Sequence, residues 1–292
     1  MRPRSFEYHA VSTLNEALHL LQTTEDAKIL AGGQSLIALM KFRVFSPKSI
    51  IDIGRISESV YVREESGVIK IGALTTHDGI ENNETIRRKL PLLVDAVSVI
   101  ADQQVRNRGT IGGSLAHADP SADITTALVA LNATVVLIGL EGSRSLACSE
   151  LLTGYFSTAL KPNEVIKEIS VPSLNSSSGG AYLKLSRRHG DFAIVGAAAL
   201  ITLSDQGTCT DSSVVLGGVA ETPWHATGTE KALLGQQLTD ATIEDAAEKA
   251  SDGLKPPSDV HASAEYRLEM SRVMTKRAIK IAVKRATESS RF

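Results

Sequence analysis

Apolar residues recur at helical spacing near the start of the chain, at Leu14, Ala17, Leu18 and Leu21, and predict a short amphipathic helix over residues 13–21. Lys28-Ile29-Leu30-Ala31 then reads as a strand entering Gly32-Gly33, with Ser35 a candidate N-cap for the apolar stretch 36–40. Residues 49–53 and 68–72 are strand candidates. Thr75 or Thr76 is placed to cap a helix running through Ile80, and residues 90–100 read as another helix. A second glycine loop covers 109–120, followed by a helix over 121–131 and strands over 133–138 and 165–171. The stretch 174–180 is dense in serine and glycine and reads as a linker.

Beyond the linker the pattern changes. Residues 182–185, 192–203 and 212–216 look like three segments of a sheet, and the Ala- and Glu-rich stretches 240–252 and 263–288 read as helices. The chain therefore divides near residue 177 into two α+β units, 1–176 and 177–292. No repeat of solenoid length is visible, although the two glycine loops echo each other.

Composition narrows the function classes. The 292 residues suffice for two domains. Lys and Arg number 31 against 33 Asp and Glu, a formal net charge of -2 with no clustered basic surface for nucleic acid or an anionic membrane. Two cysteines, Cys148 and Cys209, are too few for a disulfide scaffold, a structural zinc site or an iron–sulfur cluster, so no metal site is expected in this chain. The opening residues Met1 to Glu7 are polar and have no apolar signal core. The longest apolar run, 192–203, is too short to span a bilayer. A soluble cytoplasmic protein without membrane insertion is the expectation.

The two glycine loops carry the chemistry. Ala31-Gly32-Gly33-Gln34-Ser35-Leu36 and Thr110-Ile111-Gly112-Gly113-Ser114-Leu115 each couple a Gly-Gly pair to a serine beside an apolar segment. A diphosphate needs backbone N–H groups presented without an intervening Cβ, and a helix N-terminus adds spare donors and partial positive charge. One such loop alone is a tight turn. Two of matching grammar point to a diphosphate held between them, although neither is a Walker A loop nor a Gly-x-Gly-x-x-Gly fingerprint.

The longer string from Arg106 to Asp123, reading RNRGTIGGSLAHADPSAD, resembles the FAD-binding signature of the flavoprotein subunits of the xanthine dehydrogenase and carbon monoxide dehydrogenase family. The first loop, continuing through Lys41, resembles that family's other flavin loop. Residues 182–195 and 216–220 match further pieces in the right order. The resemblance covers nearly the whole chain. It implies an α+β fold: a PCMH-type FAD-binding domain over 1–176, in two parts of about 1–56 and 57–176, followed by a smaller α+β domain over 177–292, an antiparallel sheet with helices.

By the same resemblance, Ile29, Leu30, Ala31, Gly32, Gly33, Gln34, Ser35 and Leu36 would wrap the FAD pyrophosphate from one side, and Thr110, Ile111, Gly112, Gly113 and Ser114 from the other. Asp123 would accept hydrogen bonds around the adenosine or ribityl portion. Ile100 and Ile166 would make apolar contacts, and Lys184 would lie near the polar edge of the isoalloxazine. Ser114 departs from the Asn of many relatives and has a shorter reach. His117 is open to a flavin-tuning or a loop-ordering role, and His77 beside Asp78 to an acid–base or a local polar one. Arg187, Arg188 and Asp191 read as a partner dock, a support for Lys184 or a solvated turn, and Trp224 as a core residue.

No nucleophile elbow or zinc-protease helix occurs, as suits a protein whose cofactor carries the chemistry. The resemblance implies an oxidoreductase subunit without catalytic side chains of its own. It would pass electrons from [2Fe–2S] clusters on a small subunit, fed by a molybdopterin-containing large subunit, through FAD to NAD, oxygen or a quinone. The assembly would be a dimer of heterotrimers. The competing readings are a free-standing FAD-dependent oxidoreductase acting directly on a small molecule, and an interaction protein that lost its cofactor.

Overall fold

A computed structural model describes residues 2–289. The chain begins with strand β1 (Glu7–Ala10), helix α1 (Leu14–Thr23), β2 (Ala27–Leu30), α2 (Leu36–Lys41) and β3 (Ser49–Asp52). The three strands form a wholly parallel sheet in the order β1-β3-β2. Helix α1 starts where Thr13 accepts a hydrogen bond from the Glu16 N–H, and it buries Leu14, Ala17 and Leu18 against Ile51 and Ile53. Leu74 and Val165, from the next part of the chain, complete this small core.

The second part contains β4 (Val62–Glu65), β5 (Val68–Gly72), α3 (His77–Glu81), α4 (Glu84–Lys89), α5 (Pro91–Ser98), α6 (Gln103–Arg106), α7 (Ile111–His117), α8 (Asp123–Ala130), β6 (Thr134–Gly139), β7 (Gly142–Ala147), α9 (Cys148–Leu151), β8 (Leu152–Gly154), β9 (Ser157–Thr158) and β10 (Val165–Pro172). Strands β4-β5-β10-β6-β7 make an antiparallel sheet. Ser66 and Gly67 turn the β4–β5 hairpin, both at positive φ, as the twist of a two-residue hairpin demands.

The third part contains β11 (Ser178–Leu185), β12 (Val195–Leu203), β13 (Cys209–Gly217), β14 (Trp224–His225), α10 (Thr227–Leu233), α11 (Asp240–Glu248) and α12 (Ala264–Ser289). Its four strands form an antiparallel sheet in chain order. Both faces are covered. Ala197, Ala199 and Ile201 alternate with Ala198 and Leu200 along β12, the first set packing with Met274, Ile279 and Ala282 of α12, the second joining Leu92 of α5 and Leu128 of α8. A strand buried on both faces reads as a continuous apolar run, which is what β12 does in sequence. Cys148 and Cys209 lie buried in separate cores, and burial pushes the Cys148 thiol up to about 12.

Several expectations require correction. The stretch 174–180 is not all linker: β11 already begins at Ser178. Gly179 is small because α12 lies against it; a Cβ there would overlap the Ala282 carbonyl and the Ala286 nitrogen. Close packing, rather than looseness, selects that composition. The strand expected over 192–203 begins only at Val195, and Phe192 stands 63% exposed in the preceding turn. The loop expected over 109–120 is largely helix α7, closed by Ala118 in the left-handed region. Residues 240–252 split into α11 and a 3₁₀ turn, Lys249–Ser251. Strands β1, β4 and β7 and helices α4, α6 and α10 were not anticipated. All are short, four to seven residues, too few to show a clear period, and β1 besides pairs with β3, far along the chain.

Replacing Gly179 with Val is expected to destabilise the protein by about 3 kcal/mol or more, since backbone cannot move aside as a side chain can. Urea unfolding midpoints measure this. A shift equivalent to less than about 0.5 kcal/mol, the range of a neutral surface change, would contradict the packing account.

Candidate functional site

The first glycine loop leaves the parallel sheet at the end of β2, where the Leu30 carbonyl still accepts from the Ile53 N–H at 3.0 Å. Gly33 takes a φ of +77°, which lets the chain reverse into α2. Its carbonyl accepts the Ile37 N–H at 3.2 Å. Among the described residues, none of the backbone N–H groups of Gly32, Gly33, Gln34 and Ser35 donates to the protein. Four consecutive free donors form a cradle suited to an anion. Ser35 precedes α2 but makes no capping hydrogen bond, contrary to expectation, because its backbone is in the helical rather than the extended region.

The second loop meets the first backbone to backbone. A Cβ on Gly32 would overlap the Arg108 carbonyl and fall 3.0 Å from the Gly109 Cα, while one on Gly113 would fall 3.7 Å from the Ala31 Cβ. At position 32 only glycine permits this approach, whereas a Cβ at 113 would crowd Thr110 Oγ1, 2.7 Å away, rather than the first loop.

The donors at the start of α7 are already engaged. The Ile111 N–H donates to the Thr75 carbonyl at 3.1 Å and the Gly112 N–H to the Ala73 carbonyl at 2.9 Å. The Gly113 N–H donates to Thr110 Oγ1 at 3.1 Å, and the Ser114 N–H to the Thr110 carbonyl at 3.0 Å. The expectation of spare N–H donors here is therefore corrected. The second loop offers hydroxyls, those of Thr110 and Ser114, and the first loop offers amides. Gly112 serves packing: a Cβ there would fall 2.6 Å from that of Ala73.

Thr76, not Thr75, caps α3, accepting from the Gly79 N–H. This cap sets His77, 3% exposed, beneath the second loop. Its backbone N–H donates to the Gly109 carbonyl at 3.0 Å, and its Nε2 lies 3.1 Å from Ser114 Oγ. Burial, with the Arg106 guanidinium adding to it, pushes the imidazole down to about 4. The Asp78 carboxylate bonds Asn82 and Gln103 instead, so His77 and Asp78 do not form an acid–base pair.

Asp123 opens α8, 5% exposed. Its carboxylate accepts from the Tyr182 hydroxyl at 2.7 Å and from Lys184 Nζ at 2.9 Å, and Lys184 also donates to the Val99 carbonyl at 2.7 Å. Tyr182 and Lys184 sit two apart on β11 and so share one face. That spacing was the available sequence signal for Tyr182, whose part in the cluster sequence reasoning missed. Burial pushes the Asp123 carboxyl up from its ordinary value against the pull of Lys184 and Tyr182. Ile100, half-buried, follows Val99 directly, and Ile166 lies in the main core on β10. The carbonyl of neighbouring Lys167 accepts from the Ala73 N–H at 3.1 Å, which links β10 through Ala73 to α7.

Other singled-out residues have local settings. The His117 ring tilts against Phe156 at 5.2 Å between centroids, and burial lowers its pKa. Arg187, Arg188 and Asp191 lie in an exposed turn whose Gly190, at φ +88°, presses on the Ala101 carbonyl. Trp224 is half-buried against the core beneath α12. No helix among the described residues is long and apolar enough to cross a membrane.

Paired loops, one with a row of free amides and the other with two hydroxyls, suit a protein that binds a phosphate-bearing cofactor. Sequence comparison specifies the cofactor: residues 4–174 match the FAD binding domain in molybdopterin dehydrogenase, and residues 180–282 match the CO dehydrogenase flavoprotein C-terminal domain. The chain belongs to the FAD-binding medium-subunit family of the molybdenum hydroxylases, a family of oxidoreductases, and FAD is its cofactor. It is 42% identical to the 6-hydroxypseudooxynicotine dehydrogenase complex subunit alpha of Paenarthrobacter nicotinovorans, over 98% of this chain and 97% of that one. It is 40% identical to the glyceraldehyde dehydrogenase medium chain of Sulfolobus acidocaldarius, over 96% and 99%. Its fold superposes on a chain of carbon monoxide dehydrogenase from Hydrogenophaga pseudoflava with a TM-score of 0.94 at 40% identity, covering 98% of this chain and 99% of that one.

Two outcomes follow from the buried groups. Above pH 6.5 His77 is neutral in both folded and unfolded states; between 6.5 and about 4 the unfolded chain takes up a proton that the folded chain refuses. Stability should thus fall with acidification across that window by about 3 kcal/mol from this group alone. His77→Gln should remove that part of the slope of denaturant midpoint against pH, and an unchanged slope would refute it. Lys184→Met should cost about 3–5 kcal/mol, because it strands the Asp123 charge. Calorimetry reads this loss, and a wild-type unfolding curve would contradict the pairing.

Proposed function

We propose that this chain is the electron-outlet subunit of a cytoplasmic molybdenum hydroxylase. It would hold the FAD that carries electrons from [2Fe–2S] clusters on a small subunit, reduced by a molybdopterin-containing large subunit, to an external acceptor such as NAD, oxygen or a quinone. The complex is a dimer of heterotrimers. Residues 1–176 form the FAD domain, in parts of about 1–56 and 57–176, and residues 177–292 the C-terminal domain of the CO dehydrogenase flavoprotein type.

The row of free N–H groups from Gly32 to Ser35, set against α7, is the observation that carries this reading. These amides hold the diphosphate from one side, and the hydroxyls of Thr110 and Ser114 hold it from the other. Ile29, Leu30, Ala31 and Leu36 shape the first wall; Ile111, Gly112 and Gly113 shape the second, with Gly32 keeping the gap between them open. Ile100 and Ile166 supply apolar support around the cofactor. Asp123 and Lys184, locked to each other, present fixed charge beside it rather than mobile acid–base groups. Relatives of near-equal identity are named for 6-hydroxypseudooxynicotine, glyceraldehyde and carbon monoxide, which favours a substrate site on another chain.

Purification of the native protein, with absorbance spectra and metal analysis of what co-elutes, tests the proposal. Stoichiometric FAD together with a large molybdenum-bearing chain and a small iron–sulfur chain is expected. A yellow protein eluting alone, free of molybdenum and iron, would overturn it in favour of a free-standing flavoenzyme. Gly113→Val should lose most bound FAD while keeping the circular dichroism of the wild type. Full flavin occupancy in that variant would remove the cradle.

A further inference from the structure

His77 adds a polar contact to the cradle from beneath it. The ring is buried against Gly109, where a Cβ would fall 2.9 Å from His77 Cδ2. Nε2 lies 3.1 Å from Ser114 Oγ, whereas Nδ1 is buried and has no hydrogen-bond partner among the described residues. Arg106, the charged group acting on the ring, bonds Glu81, Gln103 and the Ile100 carbonyl, and offers no acceptor to Nδ1.

A neutral imidazole carries one proton, on one nitrogen or the other. Burial keeps this ring neutral down to about pH 4, so the choice is forced at neutral pH. A proton on Nδ1 would leave a buried N–H donor with no acceptor, the costlier kind of orphan, while a bare Nδ1 leaves only an unused lone pair. The proton therefore sits on Nε2, and Nε2–H donates to Ser114 Oγ. A hydroxyl that accepts this bond keeps its own proton for another acceptor. Thr110 caps α7 and Ser114 lies in its first turn, so both hydroxyls sit at the same end of that helix.

We infer that His77 is a positioning residue which, as the Nε2–H tautomer, makes the Ser114 hydroxyl a committed donor to the FAD diphosphate. The inference rests on the reading that residues 110–114 hold FAD. Thr110 stands in the same relation to a backbone group: its Oγ1 accepts from the Gly113 N–H and has its own proton to donate. The second loop, whose first-turn amides are spent on Thr75, Ala73 and Thr110, thus acts through two hydroxyls that each accept one bond from within the protein and keep a proton to donate.

Long-range ¹H–¹⁵N correlation spectra of the FAD-loaded full chain, labelled on histidine, report the tautomer directly. His77 should show a protonated Nε2 and a bare Nδ1; the reverse pattern overturns the inference whatever the variants do. Flavin affinity of the full chain gives the second readout. Ser114→Ala and His77→Leu should each weaken FAD binding about tenfold or more, the worth of one hydrogen bond to a charged acceptor, and the double variant no more than the worse single one. His77→Gln, whose terminal amide can replace the Nε2–H, should recover most of the affinity. Additive losses, or equal loss with Gln and Leu, would reject the positioning role. If Gly113→Val releases FAD while Ser114→Ala binds it normally, the cradle stands and the Ser114 assignment falls. Normal binding in both would bring down the cradle itself.

Discussion

Asp123, Tyr182 and Lys184 form a buried cluster at the junction of the two units, with Asp123 on α8 and both partners on β11. A carboxylate and an ammonium both about 95% removed from solvent are tolerable only if each finds the other, because an unpaired charge there would cost several kcal/mol. That requirement fixes α8 against the sheet of the third part. Everything flanking the two elements inherits the constraint. Upstream of Asp123 lies α7 with the second glycine loop; downstream of Lys184 lies the exposed turn that presses Gly190 onto Ala101. A second clamp reinforces it, as Arg285 of α12 bonds Asp95 of α5 and the Gly180 carbonyl. The Asp95 carboxylate also accepts the Tyr182 N–H at 3.2 Å.

Close backbone contact is the second theme. Gly32 against Arg108, Gly112 against Ala73 and Gly179 against α12 are three places where a methyl group would not fit. The first makes the cleft between the glycine loops, the second seats α7, and the third lets the long C-terminal helix lie flat on β11. A binding site built mainly from backbone amides constrains residue size more than residue chemistry. It follows that the glycine pairs are not equivalent: one of the four residues sets the gap between the loops, one the chain reversal, one the helix packing, and one faces Ala31.

The two loops also divide the work in a way their similar lettering conceals. The first keeps its amides free because Gly33 turns the chain before helical bonding begins. The second has spent its amides on Thr75, Ala73 and Thr110 and retains hydroxyls. His77 and Arg106 lie behind it as a largely dry layer, whose burial keeps the imidazole neutral beside the Ser114 hydroxyl.

By itself the sequence determined a great deal here: the α+β class, the strand–turn–helix around Gly32-Gly33, the amphipathic α1, the long α12, and the family, through the run from Arg106 to Asp123. These signals are local, carried by periodicity, turn residues and contiguous motifs. The tertiary structure decided the rest. It turned a serine–glycine linker into the start of β11 and a glycine loop into α7. It separated His77 from Asp78 and gave it Ser114, and it closed Asp123 on Tyr182 and Lys184. Each of these depends on which backbone or charge comes to lie opposite, from residues tens of positions away, and no local pattern encodes the identity of a distant neighbour.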